Sequence, residues 1–279
     1  MFQADLLQGK RILITGGGTG LGFSMGRRFL ELGARLVICG RRAEVLREAA
    51  AKLAGEAGGK VETHVCDVRD ADAVERTVEA IWAEGPLDVL VNNAAGNYIA
   101  RSEELSPRAI DAVLGIVLHG SAYCTTACGR RWLASGHRGT VLSIITTYAW
   151  TGSAYVLPSA MAKAGVLALT RSLAVEWGGR GIRLNAIAPG PFPTPGAWER
   201  LVPRPDLARA FESKNPLRRV GEHIELANLA AFLVSDFAGY INGEVVTIDG
   251  GEWLQGAGQF SFLDRLTDAD WAALKPKKK

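Results

Sequence analysis

Seven short apolar runs punctuate the chain: "RILIT" at 11–15, "ARLVICG" at 34–40, "VETHVCD" at 61–67, "LDVLVNN" at 87–93, "GTVLSII" at 139–145, "IRLNAIAP" at 182–189 and "GEVVTID" at 243–249. Helical patterns such as "RRAEVLREAAAKLA" separate them. Near-continuous hydrophobicity with little polar alternation marks strands covered on both faces. The alternation of the two patterns predicts an α/β fold, a doubly wound parallel sheet of seven strands with helices on both faces. At 279 residues and 48% hydrophobic, the chain has room for one continuous core, so 1–279 is expected to be a single domain. No internal repeat or long linker interrupts it. The Pro/Gly-dense segment "APGPFPTPGAW" at 188–198 follows the sixth run directly, where ligand-covering loops belong, and is expected to open a substrate lid over about 188–221. An extension from 252 to 279 continues past the last strand.

Composition narrows the classes. The formal charge of +3 is slight, and apart from the terminal "KPKKK" the basic residues are dispersed, so no nucleic-acid surface is expected. The tail itself reads as a solvated terminus, with attraction to the phosphates of a ligand as the alternative. Cys39, Cys66, Cys124 and Cys128 show no metal-site pairing, and a reduced chain without a metal is the simplest reading. The start "MFQADLLQGK" has no apolar leader, and no apolar run approaches the roughly 20 residues that span a bilayer. A cytoplasmic protein with no membrane partner is the expectation.

The first strand runs into "TGGGTGLG", Thr15 to Gly22, and a helical pattern follows. This strand, turn and helix context is what a dinucleotide-binding glycine turn requires. Gly16 permits the tight turn, Gly20 lets backbone N–H groups approach a pyrophosphate, and Gly22 lets helix pack on strand, with Thr19 and Leu21 completing the expected contact set. At the end of the second strand an acidic residue would bind a ribose 2′-hydroxyl, but here Gly40 is followed by Arg41 and Arg42. Paired guanidinium groups can grip a 2′-phosphate, which favours NADPH over NADH; alternatively they only begin a solvated helix.

"TGGGTGLG", Asp67 in "CDVRD", "NNAAGN" at 92–97, the Lys163 segment and "NAIAPG" at 185–190 stand in order along nearly the whole chain, which thereby resembles the short-chain dehydrogenase/reductase family of Rossmann-type enzymes. The resemblance implies that Asp67 and Val68 border the adenine, that Asn93, Ala94 and Gly96 line the cofactor, and that Lys163 holds the nicotinamide ribose. It also implies that Pro189 and Gly190 lie near the carboxamide, that Thr194 bonds the carboxamide or the pyrophosphate, and that the chain forms a homotetramer.

One motif departs from the family. A tyrosine is expected four residues before the lysine, one helical turn away, where the ammonium lowers the phenol's pKa and the phenol protonates a carbonyl oxygen. Ser159 occupies that position, and the family's usual serine falls at Thr146. A branch of the family, the mitochondrial-type 2,4-dienoyl-CoA reductases, is similar in carrying its tyrosine just past the fifth strand, fifteen residues before the lysine; here that residue is Tyr148. The branch also has a serine matching Ser159. Relocation suits a conjugated thioester: hydride arrives at the δ-carbon while negative charge develops on the distant thioester oxygen. That oxygen is also held by an Asn in the resembling enzymes, and His119 in "GIVLHGSAY" stands in its place. An imidazole N–H can donate as an amide does, and adds a pH dependence the amide lacks.

The expected catalytic set is therefore Tyr148, Lys163, His119, Ser159 and Thr146, acting with NADPH on an acyl thioester of CoA. Each residue also has a plainer reading: Tyr148 as an aromatic plug, His119 as a helix histidine with satisfied bonds, Ser159 as a small packing residue. Tyr155 is read as lining or structural. Phe192, Trp198, Leu201 and Phe211 can cover an acyl chain or simply pack in an amphipathic helix. Three rival functions stay open: reduction of trans-2-enoyl thioesters, reduction of 3-oxoacyl thioesters, and a non-catalytic NADP-sensing module.

Overall fold

The computed structural model describes residues 3–194 and 213–274. Trp198, Leu201 and Phe211 of the expected lid, and the "KPKKK" tail, lie outside the described residues. Seven parallel strands form one sheet in the order β3-β2-β1-β4-β5-β6-β7. They are β1 (Arg11–Thr15), β2 (Arg35–Gly40), β3 (Val61–Val65), β4 (Val89–Asn92), β5 (Gly139–Ile144), β6 (Ile182–Pro189) and β7 (Val245–Ile248). Each lies within its predicted run, trimmed by up to two or three residues at the ends.

The order reverses direction between β1 and β4, and the crevice beyond the carboxyl ends of these two strands is where ligands bind in such sheets. One core covers the first face of the sheet, with Met25 and Phe29 of α1 (Gly20–Glu31), Leu46 of α2 (Ala43–Ala57) and Leu226 of α8 (His223–Val234). On the other face Val78 of α3 (Ala71–Ala83), Trp132 of α5 (Gly120–Ser135) and Trp177 of α7 (Leu157–Gly178) pack over Leu90 and Leu184. The two edge strands are the exceptions to continuous burial: β3 exposes Thr63 and Val65, and β7 exposes Thr247. An edge strand has only one neighbour, so polar residues are tolerated on β3, where Glu62 pairs with both His64 and Arg11.

The helix α4 (Pro107–Leu114) begins at Ser106, whose side chain caps it, and runs through a π-helical turn at Gly115–His119 into α5 without a break. This stretch, Pro107–Ser135, is long and apolar enough to cross a membrane by length and composition, although half of its apolar window is buried inside the domain. The expectation that no apolar run approaches that length is corrected on this point: glycines, Thr125 and Ser121 interrupt the run in sequence, yet α5 buries them as a core helix. After β5 come a single helical turn, α6 (Tyr148–Thr151), and then α7. The C-terminal extension carries α9 (Glu252–Ala257) and α10 (Asp268–Leu274).

Candidate active site

At the β1–α1 turn the site is made of backbone. Gly16 and Gly20 have φ of +67° and +55°, which an L side chain adopts only with strain. A Cβ on Gly22 would stand 2.5 Å from Asn93 Nδ2 and 2.6 Å from the Gly16 carbonyl oxygen, so only glycine lets the helix start this close to the sheet. Thr19 is the N-cap of α1 and makes no side-chain cap bond, and the first turn holds no acidic residue. The first N–H groups of the helix have no partner within it, and the positive end of its dipole faces outward. Thr194 lies over this turn, its methyl 3.3 Å from where a Gly20 Cβ would be. Leu21 follows within the first turn, half-buried.

The β4 loop is pinned to this turn by a residue that the sequence motifs contained but did not single out. Thr15 Oγ1 accepts the N–H groups of Asn93 and Ala94, each at 3.0 Å. The Asn93 amide in turn donates to the carbonyls of Thr15 and Gly16. Asn93 is thus a clamp between β1 and β4 as well as a residue beside the crevice. Gly96, farther along the loop, approaches Ile116 of the π turn. A polar side chain closing an otherwise apolar strand was the available signal for Thr15.

At the end of β2, Arg41 and Arg42 are exposed, and Arg42 is the N-cap of α2. A cation at a helix N-terminus opposes the dipole, an arrangement that a bound anion relieves. Asp67, just past β3, accepts a two-pronged contact from Arg69; this guanidinium, with Arg41 behind it, holds the carboxyl below its usual range. Val68 is buried and backs onto Gly120 of α5. On the opposite side Pro189 ends β6, and the N–H of Gly190 donates to Ile248 at 3.0 Å. These glycines and backbone donors fit a dinucleotide laid across the carboxyl ends of β2, β1 and β4.

The other half of the site is made of side chains on a shared apolar platform. Val113, Val117, Ile145, Ala149, Ala162 and Val166 form one cluster beneath it, joining α4, the π turn, the end of β5, α6 and α7. Tyr148 opens α6, and its hydroxyl lies 3.0 Å from Ser159 Oγ on α7. Ser159 is 3% exposed, so this contact is sheltered from water. Lys163, one turn farther along α7, is buried and its ammonium donates to the Ile144 carbonyl at the end of β5. Burial lowers its pKa to about 8. The hydroxyl of Thr146 is buried and has no hydrogen-bond partner among the described residues.

His119 closes the π turn, which packs on α7; Leu118 beside it fills the space left open by Gly165. Its imidazole is exposed, stands 5.9 Å from the ring of Tyr123, and makes no hydrogen bond among the described residues. π turns occur often at functional sites, where the extra residue re-aims a side chain. Phe192 approaches Gly221 and packs against the first core. Trp150, on the face of α6 away from Tyr148, meets Trp253 of α9 edge-on at 6.1 Å. That contact joins residues about a hundred positions apart, and the sequence carries no signal for it. Among the described residues no group of three or more His, Cys, Asp or Glu is placed to hold a metal, and the four cysteines are free and buried.

Known proteins share this architecture. A family described as enoyl-(acyl carrier protein) reductase matches residues 16–252. A probable 2,4-dienoyl-CoA reductase, (2E)-enoyl-CoA-producing, of Bacillus subtilis is 45% identical over 89% of this chain and 98% of its own. A probable 2,4-dienoyl-CoA reductase 3, (3E)-enoyl-CoA-producing, of Caenorhabditis elegans is 42% identical over 88% and 81%. The crystal structure of a short chain dehydrogenase from Bacillus anthracis superposes with a TM-score of 0.80 at 43% identity, covering 88% of this chain and 96% of that one. With the glycine turn, the strand order and the lysine on α7 all in register, the chain belongs to the short-chain dehydrogenase/reductase family and is an oxidoreductase that uses a nicotinamide dinucleotide.

Proposed function

We propose that this oxidoreductase reduces 2,4-dienoyl-CoA thioesters with NADPH. The observation that carries the reading is the 3.0 Å contact between the Tyr148 hydroxyl and Ser159 Oγ. It brings a phenol from another element to the place where the family's usual tyrosine is missing. The names of relatives more than 40% identical support the same substrate class. Gly40, Arg41 and Arg42, with no carboxylate among them, support a 2′-phosphate and hence NADPH.

Bound NADPH supplies hydride, taken up at the δ-carbon of the conjugated acyl group. Charge then gathers on the thioester oxygen, several bonds from the carbon reduced. Tyr148, oriented by Ser159, donates to that oxygen. His119 supplies a second N–H from the π turn, and Thr146 a hydroxyl that the protein itself leaves unbonded. The Lys163 ammonium, anchored on Ile144, holds the nicotinamide ribose. A proton from water at the α-carbon yields a 3-enoyl thioester, and at the γ-carbon a 2-enoyl thioester; the named products of the relatives include both.

The test is loss of NADPH absorbance with trans,trans-2,4-hexadienoyl-CoA beside crotonyl-CoA and acetoacetyl-CoA, with NADH as the competing reductant and the product double bond located by NMR. Preference for the dienoyl thioester and for NADPH is the expected result. Preference for crotonyl-CoA or acetoacetyl-CoA would replace the reading with enoyl or 3-oxoacyl reduction, and NADPH binding without turnover of any of the three would remove it.

A further inference from the structure

Tyr155 combines two features that local stability does not explain. Its φ is +67°, and Arg218 is the other non-glycine residue in that region among the described residues. For an aromatic side chain the left-handed region costs about 1 kcal/mol or more. Burial does not offset this, because the ring is 62% exposed. Glycine would hold the same backbone without strain, so the ring has a use that the fold does not supply.

Its neighbours indicate the use. The Tyr155 carbonyl accepts the N–H of Ala100 at 3.1 Å, tying the α6–α7 loop to the β4–α4 loop. That contact brings together Tyr155, Ile99 and Tyr98, with Leu157 entering the first turn of α7, and all four side chains are exposed. Along the chain the group adjoins the catalytic pair: Tyr155 is seven residues after Tyr148 and four before Ser159 in one connected segment. A thioester with its oxygen at Tyr148 must run its saturated tail out of the crevice. A mobile hydrocarbon gains by leaving water against a rigid aromatic face.

We propose that Tyr155, with Tyr98 and Ile99, contacts the distal end of the acyl chain and sets the enzyme's preference for longer thioesters; this rests on the acyl-thioester reading above. The strained backbone presents the ring to the substrate instead of to the core.

The experiment compares wild type, Tyr155→Gly and Tyr155→Phe. Calorimetry with NADP present gives affinities for hexanoyl-CoA and dodecanoyl-CoA, and kinetics give kcat/KM for 2,4-hexadienoyl-CoA and 2,4-decadienoyl-CoA. Wild type is expected to favour the longer member of each pair. In Tyr155→Gly that discrimination falls by about tenfold, roughly the effect of burying two methylenes, and it falls through affinity and KM. Tyr155→Phe restores it, and Tyr155→Gly melts no lower than wild type because glycine accepts the positive φ. Equal weakening toward both chain lengths in Tyr155→Gly, failure of Tyr155→Phe to restore the preference, or a wild type that binds both lengths alike would overturn the proposal. A wild type that discriminates length in binding yet reduces no dienoyl thioester would overturn the proposed reaction and leave this inference standing.

Discussion

At the β1 end the site presents backbone, and at the β5 end it presents side chains. Around Gly16, Gly20 and Gly22 the recognition groups are N–H donors whose positions follow from φ and ψ, and the space beside Gly22 is already filled by Asn93 and the Gly16 carbonyl. Few sequences satisfy such a turn, so its pattern is rigid. Around Tyr148, Ser159 and Lys163 the working groups sit at the ends of side chains on two separate helices, α6 and α7, with the end of β5 anchoring the lysine. A hydroxyl can be brought to the same point from a different residue. The comparison teaches that a backbone site fixes its residues, whereas a side-chain site fixes only the place where atoms meet.

The sharpest way to break this comparison is at Tyr148. Tyr148→Phe is expected to lower kcat by ~10² or more while cofactor affinity, read by fluorescence titration, is retained. Adding Ser159→Ala to that variant should cost little more, because the serine acts through the phenol; additive losses would separate the two residues. At the backbone end, Gly22→Ala is expected to lower stability by about 2 kcal/mol in urea unfolding and to weaken cofactor binding along with it, since the added methyl meets main chain and not a flexible tip. An alanine accepted without loss would show that the turn has more slack than its geometry implies. A smaller effect belongs to the cations at β2: Arg41→Ala with Arg42→Ala should reduce the preference for NADPH over NADH by about tenfold or more, leaving NADH turnover nearly intact.

The smallest effect tests how the buried lysine is held. Lys163 has its folded pKa depressed to about 8, below the ordinary 10.5, so between these values the unfolded chain binds more protons than the folded one. The desolvation penalty is therefore present in full at neutral pH and is relieved as pH rises from about 8 toward 10.5. Lys163→Met should be at least as stable as wild type at pH 7, by an amount on the order of 1 kcal/mol, and the difference should shrink in melts at alkaline pH. A variant less stable at every pH would mean that the bond to Ile144 outweighs desolvation. The same titration predicts that wild-type kcat/KM declines as Lys163 loses its proton above pH about 8.

The two ends were unequally legible in the sequence. The strands could be read because five of the seven are largely buried runs of branched and apolar residues; even the edge strands β3 and β7, with "VETHV" and "VVTI", kept enough branched residues to register. The glycine turn was legible for the reason given above, that its geometry admits few residues. Tyr148 could be placed by counting to Lys163, but its contact with Ser159 spans eleven residues across a loop, a spacing that no helical or strand period encodes. α6 is a single turn, too short to leave a periodic pattern. The clamp at Thr15 and the edge contact of Trp150 with Trp253 depend on strands and helices already being in place. Tyr155 gave no hint of its left-handed backbone, because tyrosine is not a residue that position would ordinarily select.

The π turn at Gly115–His119 has a consequence for how this chain tolerates insertions and deletions. Such a turn holds one residue more than regular α geometry needs, so the helix can lose a residue there without breaking. Removing Gly115 would let the turn close into regular α geometry, and because the extra residue is held within that one widened turn, the helices on either side would keep nearly their present rotation relative to each other. The residues within the turn, His119 among them, would be re-aimed, while Cys124 and Trp132 would stay in the core. The extra residue is absorbed inside the turn, so it changes where the site's side chains point without shifting the helices on either side.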